Sequence, residues 1–149
     1  MRSIVSFLLL LLSVGILAGC KTKKAPVAAF SDLNGDWSVV EIDGQRMNPE
    51  ETHQVVTLNV ADRTLSGNAG CNRMMGKIEY NEHQPAIIKF PHIATTRMAC
   101  PGEPMKRERQ LLDAMNKVVR FAAVGEYRPI RRIALYGTDN TLLVMLERQ

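Results

Sequence analysis

The chain has 149 residues, of which 46% are hydrophobic and 23% charged, with a formal net charge of +4. This is one domain's worth of sequence, apolar enough to form a core of its own, and it excludes a disordered or fibrous chain. Arg2, Lys21, Lys23 and Lys24 lie near the N-terminus, and taking these four from the nineteen basic residues leaves fifteen against fifteen acidic ones. The body of the chain is therefore neutral, which argues against a nucleic-acid binder built on a basic face. Arg128, Arg131 and Arg132 form a small basic group there, read as a solvated strand end.

Arg2 is followed by an apolar stretch from Ile4 to Leu17 that ends in Leu17-Ala18-Gly19-Cys20. A charged start, an apolar middle and small residues before a cut site form a secretory signal. The stretch is shorter than the roughly 20 apolar residues that span a bilayer. Its end resembles a bacterial lipobox, which implies lipidation of the Cys20 thiol and a mature chain that begins there. The expected organisation is a signal over 1–19, a lipidated Cys and tether over 20–30, and one domain over 31–149. The expected location is the cell envelope. Lys21 stands where the commonest inner-membrane retention signal has Asp, so the outer membrane, facing the periplasm, is expected. The membrane is then a partner through the N-terminal lipid, and Lys21, Lys23 and Lys24 can meet anionic head groups.

The domain opens with Leu33–Ile42, in which Asn34-Gly35 is a turn signal and the β-branched run after it reads as a strand, ended by Asp43-Gly44. Val55–Val60 alternates, with Val56, Leu58 and Val60 on one face. Ala61-Asp62-Arg63 turns the chain into a strand over Thr64–Gly67. Arg73–Tyr80 reads as a strand broken at Gly76, and Ala86–Phe90 as another, stopped by Pro91. One helix is expected from Pro104 to Val119. Leu111, Leu112, Met115, Val118 and Val119 form its apolar face, and Pro is tolerated in its first turn. A strand over Phe121–Tyr127 follows. Ile133–Tyr136 and Thr141–Leu146 then form a hairpin about Gly137-Thr138-Asp139-Asn140. Many short strands, one helix and no βαβ alternation give an α+β fold, an antiparallel sheet curled around a single helix.

Three cysteines need roles. With Cys20 taken by lipid, Cys71 and Cys100 are an even pair in an oxidising compartment, where a disulfide is the default. A reactive thiol and a metal pair are the alternatives, and neither Cys has a His beside it. His53, His83 and His92 are scattered on or near loops, and Glu79 and Glu82 read as solvated. No Gly-x-Ser-x-Gly, His-Glu-x-x-His or Walker motif occurs. No catalytic residue, metal ligand or cofactor is expected. Several methionines, Met74-Met75 with Met98 above all, raise the alternative of soft-ligand copper binding. Core filling accounts for methionine equally well.

Two segments are specific. One is Leu65-Ser66-Gly67-Asn68-Ala69-Gly70-Cys71-Asn72-Arg73-Met74-Met75-Gly76. The other is Thr95-Thr96-Arg97-Met98-Ala99-Cys100-Pro101, followed by Glu108 and the helix. With the early Trp37 and the closing hairpin, they resemble the META domain family, the HslJ-like heat-shock lipoproteins, over about Leu33 to Glu147. The resemblance implies a curved antiparallel sheet or cracked β-barrel with one packed helix. It implies an association with the envelope and with stress or drug tolerance, and no defined reaction. Gly67, Gly70, Asn72, Gly76, Thr96 and Met98 are the candidate motif residues. The glycines and Asn72 suit a tight bend beside a disulfide, with a glycine-lined ligand notch as the sharper alternative. The function expected is non-enzymatic binding of an apolar ligand or an envelope protein. A cavity under the helix is the place for the first. The alternatives are a periplasmic thiol-redox or copper-binding protein.

Overall fold

The computed structural model describes residues 27–125 and 128–149. The signal, Cys20 and most of the tether lie outside the described residues, as does Tyr127 at the end of one expected strand.

A short 3-10 turn over Phe30–Leu33 leads into β1 (Gly35–Ile42). Trp37, Val39 and Ile42 point into the core, and a bulge between Val39 and Glu41 shifts the alternation by one residue. Asp43 and Gly44, both at positive φ, turn the chain into β2 (Gln45–Arg46). A single helical turn, α1 (Pro49–Thr52), is capped by Asn48. Next come β3 (Val55–Asn59) and β4 (Thr64–Asn68), which pair antiparallel with Val56, Leu58 and Leu65 inward. β5 (Arg73–Lys77), β6 (Glu79–Tyr80), β7 (Ile88–Lys89) and β8 (Ala94–Thr95) complete the first half. The main helix, α2 (Glu103–Asn116), precedes β9 (Arg120–Val124), β10 (Arg132–Tyr136) and β11 (Leu142–Arg148).

The main sheet has nine strands in the order β8-β5-β4-β3-β1-β11-β10-β9, with β2 added beside β1, and every pairing is antiparallel. The sheet curls without closing. Across the gap lie the small β6–β7 ladder and one bridge between Ile87 and Arg120. This is the mostly antiparallel, cracked-barrel arrangement with one main helix that the sequence implies.

α2 packs on β1 and β11. Its Leu111, Ala114 and Met115 enter one continuous core with Trp37, Leu58, Met74, Ile133 and Leu146. Both helix and strands point large residues into the interior under the helix.

Boundaries differ from expectation where tertiary pairing overrides local pattern. α2 ends at Asn116, not Val119, because the Val119 N–H donates to the Tyr136 carbonyl and its carbonyl accepts from Ile88. Gly76 does not break its strand. It lies within β5, where the space it leaves is closed by Ile93 and Leu65. The break comes at Ile78, which is buried and donates its N–H to the Arg63 carbonyl. Leu33 belongs to the 3-10 turn, and its carbonyl accepts the Trp37 indole N–H at 2.7 Å.

Candidate functional site

The two specific segments meet where the bend between β4 and β5 lies against the first turns of α2. Cys71 and Cys100 are joined by a disulfide, S–S 2.03 Å, with Cα atoms 5.8 Å apart. Asn72, 2% exposed, sits beside it. Its N–H donates to Glu108 Oε2 at 2.6 Å and its Nδ2 donates to Glu108 Oε1 at 3.0 Å. The same Nδ2 donates to the Met98 carbonyl at 3.2 Å, and Oδ1 accepts from the Met98 N–H at 2.7 Å and the Thr96 hydroxyl at 2.8 Å. The Asn72 carbonyl accepts from Ala69 at 2.8 Å. Every donor and acceptor of Asn72 is therefore engaged within the protein. Thr96 Oγ1 is engaged twice, because it also accepts the Arg73 N–H at 3.2 Å.

The glycines have unequal jobs. Gly67 has φ +146, and a Cβ there would lie 2.0 Å from the Val55 carbonyl oxygen. Gly70 has φ +135, and its Cβ would lie 2.9 Å from the Pro104 carbonyl oxygen and 3.2 Å from the Glu108 nitrogen. Gly70 thus lets the bend touch the helix backbone and is closed over by α2, while Gly67 and Gly76 border open surface grooves.

Two contributors lie outside the candidate motif residues, Glu108 entering the sequence reading only as part of the resemblance. Glu108 lies on the buried face of α2, three residues before Leu111 and seven before Met115, and is 5% exposed. A carboxyl on an apolar stripe needs a partner, and Asn72 supplies it. Gln54, fully buried, donates Nε2 to the Ala69 carbonyl at 2.7 Å and the Arg107 carbonyl at 3.2 Å. It tethers the same bend to the same helix. Both were legible from period alone: Gln54 continues the inward alternation of Val56 and Leu58, as Glu108 continues the helical stripe.

Met74 and Met75 do not converge. Met74 fills the core at 1% exposure, while Met75 faces out at 54% and Met98 at 59%. Neighbours on a strand point to opposite faces, so Met74 and Met75 cannot offer their sulfurs to one ion. His53, His83 and His92 are exposed. Among the described residues no cluster of three or more His, Cys, Asp or Glu side chains occurs.

Solved structures resemble this fold. A protein from Burkholderia xenovorans, solved by NMR, superposes with TM-score 0.61 at 24% identity, covering 85% of this chain and 92% of that one. A second NMR structure gives TM-score 0.56 at 11% identity, covering 77% and 89%. A DUF4847 family protein from Bacteroides vulgatus, solved by crystallography, gives TM-score 0.55 at 13% identity, covering 78% and 94%. At these identities the likeness shows the fold alone. No match was found among proteins of curated function. The META domain model matches residues 30–149, the stretch that holds the disulfide, the Asn72–Glu108 pair and the curled sheet. The chain belongs to the META domain family.

Proposed function

We propose that this protein is a lipid-anchored envelope protein that acts by binding another envelope component and catalyses no reaction. The observation that carries the reading is the internal use of the motif. Asn72, Thr96 and Glu108 direct their polar groups at one another and at backbone, so the motif serves as a lock for the fold. The outer surface is then the part available to a partner. The large side chains packed under the helix support an envelope protein, over an enclosed apolar ligand, as that partner. The Leu17-Ala18-Gly19-Cys20 sequence supports anchoring at Cys20, and Lys21 supports the outer membrane, with the domain facing the periplasm.

Mass spectrometry of the protein from its native envelope tests the anchor: Cys20 carries diacylglyceryl and begins the mature chain. A Cys20 still joined to Gly19 contradicts it. Crosslinking in intact envelopes followed by purification through this chain tests the binding role. One dominant protein partner is expected, and recovery of the uncrosslinked chain alone contradicts it.

A further inference from the structure

β8 is the last strand of the main sheet, with no strand beyond it among the described residues. The Thr96 N–H donates to the Arg73 carbonyl at 3.0 Å, and Met75 lies opposite Ala94 in the ladder. Backbone direction alternates along a strand. Ala94 and Thr96 therefore bond inward to β5, while the N–H and C=O groups of Ile93, Thr95 and Arg97 point outward. Among the described residues none of these outward groups has a hydrogen-bond partner. They repeat about every 7 Å, the spacing that an extended polypeptide backbone complements.

The surroundings narrow the partner. Met75 and Met98, both well exposed, lie on β5 beside Ala94 and just past Arg97. An open groove of about 660 Å³, lined by Met75, Gly76, Lys77, Pro91 and His92 among others, with Glu79 at its rim as an acid against the three cations Arg73, Lys77 and Arg97, runs beside the start of the edge. Arg73, Lys77 and Arg97 are exposed here, and none joins an ion pair among the described residues. Two copies meeting edge to edge would bring these like charges together, which opposes self-pairing.

We propose that the Ile93–Arg97 edge is a β-augmentation site for an extended acidic segment of a partner protein, with an apolar residue seated beside Met75. This deepens the binding role proposed above and rests on it. The anchor and compartment are not required for it.

The test uses the full chain in detergent and a terminally blocked nine-residue peptide alternating Glu and Val. Binding should shift the backbone amides of residues 93–97 and slow exchange at Thr95 and Arg97. The same peptide N-methylated at the alternate amides that face β8 should not bind. Thr95→Pro removes an outward N–H without touching the β5 ladder, since Pro is tolerated on edge strands. It should weaken binding about tenfold, the equivalent of one or two backbone hydrogen bonds. Arg97→Glu, a surface change that spares the fold, should weaken the Glu peptide and favour its Lys-for-Glu counterpart. Equal binding of the N-methylated peptide, shifts confined to another surface, or no saturable binding overturns the proposal. Dimerisation that protects the same amides overturns it in favour of a second copy. If a partner captured by crosslinking is unaffected by Thr95→Pro, the edge is wrong and the binding role stands. If the edge binds the peptide but envelopes yield no partner, the reverse holds.

Discussion

Asn72 and Glu108 are 36 positions apart, yet they share two hydrogen bonds of 2.6 and 3.0 Å in the core of the domain. One belongs to a strand bend, the other to the helix. With Gln54 acting beside them, they fix the crossing of α2 over the sheet by polar contacts that apolar packing alone would leave free to slide.

Removing the Asn72 side chain leaves the Met98 N–H and carbonyl, the Thr96 hydroxyl and Glu108 Oε1 without their Asn72 partner, while the residue-72 N–H still reaches Glu108 Oε2. Asn72→Ala should cost about 3 kcal/mol or more in chemical denaturation, the sum of several unsatisfied groups. Asn72→Asp keeps the shape but sets an acceptor against the Glu108 carboxyl, and should be at least as damaging. A double-mutant cycle with Glu108→Ala should show coupling of about 1–3 kcal/mol. Additive losses would mean that the two residues act separately.

The three motif glycines should separate on substitution. Gly67→Ala and Gly70→Ala meet backbone atoms at 2.0 and 2.9 Å at positive φ. Each should lower stability by about 2–4 kcal/mol. Gly76→Ala meets only ordinary contacts at 3.5 Å and should stay within about 1 kcal/mol. Melting temperatures of the three variants provide the comparison.

Reduction of the Cys71–Cys100 bond, or Cys71→Ser with Cys100→Ser, removes a link across 29 positions. The expected loss is about 3–4 kcal/mol in the chain-entropy model. The Asn72 contacts to Met98 do not run through sulfur, so the reduced protein should still fold. A folded circular dichroism spectrum with a lowered melting point is the predicted result.

The hairpin between β10 and β11 should respond to acid. The Asp139 carboxyl is held below the ordinary value of 3.8, chiefly by the Thr141 side chain and also by its backbone N–H. A depressed folded value means the contribution is present above the unfolded value and is lost as pH falls through the folded one. Amides of the Gly137–Thr141 turn should therefore loosen below the usual carboxylate range. Asp139→Ala should remove that response, as NMR titration would read.

Much of this architecture is legible in the chain. The alternation of Val56 and Leu58, the Leu111–Met115 stripe and the Gly137–Asn140 turn each carry their own period or turn chemistry. What local pattern misses is set by distant partners. β8 is two residues long, and its pairing to β5 depends on the Asn72 contacts that hold Thr96 and Met98. α2 stops early because Val119 is taken by Tyr136 and Ile88. Gly76 looks like a strand breaker until Ile93 is seen to cover it. Glu108 and Gln54 lay on the correct faces by period, but their polarity masked them, and only the assembled bend gives each a partner.

Amide hydrogen exchange at Met98 in the intact protein tests the structural lock most directly. Its side chain is exposed and its segment has no regular structure, so local pattern alone would expect rapid exchange. The bond from its N–H to Asn72 Oδ1 predicts protection close to that of global unfolding, lost when Asn72 is replaced by Ala. Fast exchange at Met98 in the unaltered protein, at the rate of a free loop, would contradict the account.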